Sequence, residues 1–147
     1  MRKIKKIFTA LLLCVLTAFA AGCAKNDDFN TTRDVTEPEF AESVSMTTEF
    51  PEYDGNISDI KVTFTNNGDK DFSFGDQDFD LQKETGESWR YLNTSGSITA
   101  MACVIKSGST QSYTFHIGDY VKTPLSAGTY RLIVGEGKCV CAEFMVK

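Results

Sequence analysis

Apolar and polar residues alternate with a period of two along most of the chain beyond residue 43. Ile60, Val62 and Phe64 alternate with Lys61, Thr63 and Thr65, and Phe79 and Leu81 with Asp78, Asp80 and Gln82. Tyr113, Phe115 and Ile117 alternate with Ser112, Thr114 and His116, and Val140, Ala142, Phe144 and Val146 with Cys141, Glu143 and Met145. Val44, Met46 and Phe50 extend the pattern upstream. A strand turns successive side chains to opposite faces, so the alternation predicts strands with one face in a core and the other in water. On this reading Asp78, Asp80, Gln82, Cys139 and Cys141 face water. The groups YDGN, NNGDK, ETGES, TSGS, KSGST and GEGK punctuate the runs as turns. No stretch of the body carries apolar residues at helical spacing. The expected class is all-β, an antiparallel β-sandwich.

The N-terminus follows a different rule. Arg2, Lys3, Lys5 and Lys6 precede an apolar run from Ile7 to Ala21, and Ala20, Ala21 and Gly22 lead into Cys23. A charged start, an apolar run and small residues are the layout of a secretory signal. The run is shorter than the roughly 20 residues that a spanning helix needs. The ending AAGC resembles the lipobox of bacterial lipoproteins, in which the cysteine becomes the lipid-modified first residue of the mature chain. That resemblance implies a lipid on Cys23, and acyl chains hold a protein at a bilayer through each buried methylene. The expected location is therefore the extracytoplasmic face of the cell membrane, with the membrane itself as one partner.

Cleavage before Cys23 would remove four of the 15 Lys and Arg and none of the 20 Asp and Glu, leaving a balance of −9. An acidic body repels phosphate backbones, which argues against a nucleic-acid partner. The organisation expected is a signal peptide over 1–22, an anchor cysteine and linker over 23–42, and one domain over 43–147. The linker AKNDDFNTTRDVTEPEFAE is polar, acidic and without period. As a random coil it reaches about 25 Å.

The run from Ile60 to Leu92 resembles the first half of the bacterial immunoglobulin-like domains carried by extracellular lipoproteins, matching at Asn66, Phe79, Leu81, Lys83, Gly86 and Trp89. PLSAGTYRLIV resembles their penultimate turn and strand, at Leu125, Gly128, Tyr130 and Leu132. The resemblance implies an immunoglobulin-like sandwich with Greek-key connections and says little of function. It also gives Tyr130 a structural role as a tyrosine corner, hydrogen-bonded back across the preceding connection. Trp89 is expected in the core. The turn LSAGTY also looks like one in small bacterial β-sandwich proteinase inhibitors.

One stretch invites a metal. Counting from Asp76, the residues Asp76, Asp78, Asp80, Gln82, Glu84 and Glu87 fall at the ligand positions of an EF-hand loop. The sixth position, which requires glycine for a sharp turn, is Leu81, and no helical pattern flanks the run. A strand face lined by solvated carboxylates is the preferred reading, since such charges also discourage edge pairing. A weak calcium site that draws in Asp69 or Asp71 is the alternative. No metal ligand and no cofactor are assigned.

Cys103, Cys139 and Cys141 remain in the body. Outside the cytoplasm a bond from Cys103 to either of the others is open, as are three free thiols. His116 is the single histidine, expected at the surface. The chain has no G-x-S-x-G, H-E-x-x-H, C-x-x-C or phosphate-cradling glycine loop. No catalytic residue is assigned and the chain is not read as an enzyme. The expected function is a lipoprotein presenting a non-catalytic binding, adhesion or accessory module to a protein or glycan partner. Its candidate loops are Asn93–Ser97 and Ile117–Ala127, the latter offering Asp119, Tyr120 and Lys122. The rival readings are a proteinase inhibitor and a calcium-responsive module.

Overall fold

The computed structural model describes residues 35–92, 94 and 101–147. Cys23 and most of the Asn93–Ser97 loop lie outside the described residues. The strands are β1 (Glu39–Phe40), β2 (Val44–Thr48), β3 (Glu52–Tyr53), β4 (Ile60–Asn66), β5 (Phe72–Gly75), β6 (Phe79–Thr85), β7 (Ser88–Tyr91), β8 (Ala102–Ile105), β9 (Thr110–Phe115), β10 (Gly128–Val134) and β11 (Lys138–Val146). One helical turn, α1 (Ile117–Tyr120), interrupts them.

The strands form a sandwich. One sheet runs β1-β11-β10-β6-β7, with β3 also paired to β11; the facing sheet runs β2-β4-β9, and β5 and β8 make a separate ribbon. The β10–β11 and β6–β7 neighbours are antiparallel, joined through short turns. At the β6–β7 turn Gly86 takes φ +65°, a left-handed conformation that glycine adopts without steric cost. β10 inserts between β6 and β11, although β7, β8 and β9 intervene in the chain, which is the Greek-key crossing expected.

Alternation correctly identifies the inner faces. Ile60, Val62, Phe64 and Phe115 of one sheet are fully buried against Leu81, Tyr130, Leu132 and Phe144 of the other. Rings from both layers touch: Phe79 meets Phe115 edge-on at 5.6 Å, and Phe64 stacks on Phe74 at 5.0 Å. Such pairs add to the burial of their area. Asn66, where β4 ends, is buried too. Its Nδ2 donates to the carbonyls of Lys70 (2.9 Å) and Ile105 (3.1 Å), and its Oδ1 accepts from the Gly68 N–H (2.9 Å). One amide thereby fastens the β4–β5 turn to β8.

Several expectations are corrected on the outer face of the larger sheet. Gln82 is fully buried and Cys139 is buried, although alternation points both away from the core. Trp89 is not in the core; it lies opposite Glu84 on that outer face, half-buried under an arginine. Trp89 takes that face through its register with β6, whereas Gln82 and Cys139 lie under a cover that periodicity does not reveal. β1, from the end of the span expected as linker, pairs parallel to β11 through Glu39↔Lys138 and Phe40↔Cys139, and the Ala41 N–H donates to the Cys139 carbonyl at 2.8 Å. Phe50 also departs from its pattern: β2 ends at Thr48, Pro51 follows, and the ring is 54% exposed against the edge of Tyr53. The helical turn α1 stands where a loop was expected.

Candidate functional site

The acidic run does not act as a unit. Asp76 accepts a hydrogen bond from the Tyr113 hydroxyl. Burial, and then this bond, push the Tyr113 phenol up to about 12. Gln77, at φ +56°, clamps the β5–β6 turn onto β9: its Nε2 donates to the Tyr113 hydroxyl (2.9 Å) and the Thr114 carbonyl (3.1 Å), and its Oε1 accepts from the His116 N–H (2.8 Å). Beyond this turn Asp80 pairs with Ile133 within the sheet. Among the described residues no group of three or more His, Cys, Asp or Glu converges as a metal cluster would.

His116 stands at the surface with Nδ1 2.6 Å from Asp59 Oδ1, and this contact, the largest influence on the carboxyl, holds Asp59 below its ordinary range. The Ile117–Ala127 connection is pinned from beneath. Ile117, Val121 and Leu125 are buried, and the Leu125 N–H donates to the Gly55 carbonyl at 2.8 Å. Asp119 and Lys122 are exposed, whereas Tyr120 is half-buried edge-on against Phe79. The Tyr130 hydroxyl donates to the Ser126 carbonyl at 2.7 Å, the tyrosine corner that the motif implied. That bond gives LSAGTY a structural task. The three body cysteines are free thiols, and burial raises each of them above the ordinary thiol range.

The strongest polar constellation lies elsewhere, on the outer face of β6, β10 and β11. Arg131 is 3% exposed. Its Nε donates to Gln82 Oε1 at 2.8 Å, and its two terminal nitrogens donate to the two carboxylate oxygens of Glu37 at 2.8 and 2.9 Å. The Trp89 ring lies 4.4 Å from the guanidinium carbon. Planar, two-pronged pairing of this kind is what a guanidinium does best. The hydrogen bond from Arg131 draws the Glu37 carboxyl below its ordinary range. Gln82 Nε2 is buried without a partner among the described residues. Beside the pair is a cleft of about 420 Å³ lined by Pro38, Phe79, Tyr91 and Ile133 together with Asp78 and Asp80. Sequence reasoning missed this site. The available signal was Ile133, an apolar residue on a face that alternation assigns to water, two positions from Arg131.

A sandwich with this crossing and a tyrosine corner narrows the family, and the family profile for the bacterial Ig-like domain matches residues 41–144. The chain belongs to that family. No curated protein matches it. Solved structures that resemble this Ig-like domain include a β-glucosidase from Erythrobacter marinus, at 10% identity and TM-score 0.42, over 70% of this chain and 15% of that one. A β-glucosidase from Listeria innocua in complex with gluconolactone is 18% identical with TM-score 0.37, over 70% of this chain and 16% of that one. A β-glucosidase involved in saponin metabolism from intestinal bacteria is 14% identical with TM-score 0.37, over 78% of this chain and 17% of that one. Likeness at this level carries no argument about activity, and this chain spans only a small part of each enzyme.

Proposed function

We propose that this protein is a cell-envelope lipoprotein, anchored through Cys23, whose Ig-like domain is a non-catalytic module that binds a protein or glycan partner outside the cytoplasmic membrane. The observation that carries the reading is the division of the chain. The family match begins at residue 41 and leaves upstream a basic, then apolar, then small-residue segment ending in AAGC. Ig-like domains serve as surface modules, and a lipid on Cys23 would place this one at a surface. A sandwich of this kind offers its end loops, its sheet edges and its outer faces for contact.

Mass spectrometry of the mature N-terminus tests the anchor. The expected product begins at a diacylated or triacylated Cys23 and is lost from the membrane fraction on Cys23→Ser. A mature chain with unmodified Cys23 would refute it. Cross-linking on intact cells tests the binding role: a reproducible partner absent from the Cys23→Ser strain supports it. A captured protease, inhibited by the purified domain, would replace it with the inhibitor reading.

A further inference from the structure

The pairing of Arg131 with Glu37 is lopsided. The arginine side chain is 4% exposed and the glutamate side chain 59%. The cation is built into the sheet, held by Gln82 along one edge and by Trp89 across one face. The carboxylate arrives from outside on an extended segment 94 residues away in sequence. A core ion pair buries both members, because either charge left alone in the interior is costly. Here the guanidinium is fixed in the sheet whether or not the carboxylate is seated, and the carboxylate keeps an open route to water.

The rest of the contact has the same character. The segment makes a two-residue parallel ladder on β11, and Glu39 meets Lys138 at 3.0 Å. Pro38 lies against the neighbouring cleft, where Phe79, Tyr91 and Ile133 are mixed with Asp78 and Asp80. Main-chain pairing that supplies affinity, with side-chain sites that supply specificity, is how sheets take up extended peptides. The buried Gln82 Nε2 is a further donor beside Arg131 that the present carboxylate leaves unused. A buried donor without a partner is costly, and a ligand that reached it would gain.

We propose that the outer face of β6, β10 and β11 is a binding site for extended acidic peptides, with Arg131 as the carboxylate receptor, and that the strap of residues 35–41 is its resident ligand within the same chain. The ligand class follows from the strap: a glutamate for Arg131, then a segment able to pair along the start of β11, with an acidic residue facing Lys138. An external peptide competes with the strap, so the site's apparent affinity falls with the fraction of time the strap occupies it. This gives the binding role of the module a place and a ligand class. It rests on that role for its biological use, and it does not depend on the lipid anchor.

The test uses a fluorescently labelled peptide, VTEPEFAE, which copies residues 35–42. It is titrated against the full parent chain, the full chain carrying Glu37→Ala, and that chain with Arg131→Met added. Peptide anisotropy is one readout. The other is the emission of Trp89, the single tryptophan, which stacks on the receptor arginine. Glu37→Ala is expected to bind about fivefold tighter than the parent, with a change in Trp89 emission. The peptide carrying Glu37→Gln is expected to bind about fivefold more weakly, and Arg131→Met to abolish binding. Should Glu37→Ala not fold, Glu37→Gln in the full chain replaces it with the same expectations. A folded variant that ignores the peptide up to millimolar concentration, or takes both peptides equally, overturns the proposal. Cross-linking on cells would still test the binding role at other surfaces, so the two failures are distinct.

Discussion

Replacing Asn66 by alanine removes three hydrogen bonds at once: two donated by Nδ2, to Lys70 and Ile105, and one accepted by Oδ1 from Gly68. Each such bond contributes about 1 kcal/mol net, so the loss is about 3 kcal/mol. The partners will not recover equally. Lys70 is exposed and its carbonyl can take up water, whereas Ile105 is 2% exposed. A domain of this size has about 5–15 kcal/mol in total, so the variant gives up a large share of it. Its melting temperature should fall by roughly 10–20 °C. Asn66→Asp should be worse than Asn66→Ala, because it turns a carboxylate oxygen toward two carbonyl oxygens. Urea unfolding of parent and both variants, followed by circular dichroism, measures the differences, and an unchanged m value shows that the same surface is exposed. An alanine variant within 1 kcal/mol of the parent, or an aspartate variant no worse than alanine, refutes the claim that this amide fastens the turn to β8.

Three further outcomes are expected. A methyl added at Gly55 would sit 2.7 Å from the Leu125 carbonyl oxygen, a backbone atom that cannot swing aside, so Gly55→Ala should cost about 1–3 kcal/mol, whereas Gly86→Ala meets nothing within 4 Å and should cost about 1 kcal/mol for its left-handed φ alone. Equal costs in denaturant titrations would refute that contrast. The Glu37 carboxyl titrates below its ordinary value of 4.5 in the folded chain, so the stability it contributes is present above that pH and is lost as pH falls through the folded value. Glu37→Gln should therefore differ from the parent by about 1 kcal/mol at pH 7, a modest figure because Glu37 is largely exposed, and the gap should close on titration below about pH 4; a gap unchanged at pH 3 would refute it. Burial raises all three thiols, so timed alkylation with mass spectrometry at pH 7 should be slow, with Cys139 last. Rapid labelling of Cys139 would mean that the strap does not cover it.

Much of this architecture could be read from residue order because strands announce themselves locally. Ile60, Val62, Phe64, Leu81, Phe144 and Val146 face the core as their alternation requires. Tyr130 bonds back to Ser126 as its motif implied, and both residues belong to one short segment. Asn66 was singled out by resemblance, although its three partners needed coordinates. The acidic run shows the limit of spacing alone. Asp76 through Glu87 match a calcium loop in register, but Asp76 serves Tyr113, which is 37 positions away.

Period-two alternation states which way a side chain points and is silent about what lies on that side. Its polar positions are labelled as water-facing only by default, and the default fails wherever another segment covers the sheet. Here that segment is a few residues of unpatterned, acidic chain, and nothing local in TEPEF distinguishes a docked strap from a solvated linker. Trp89 takes the outer face through its register opposite Glu84, whereas the burial of Gln82 and Cys139 and the pairing of Arg131 with Glu37 go with that one docking. It joins residues 94 apart, and such contacts arise only when the folded sheet offers them a surface.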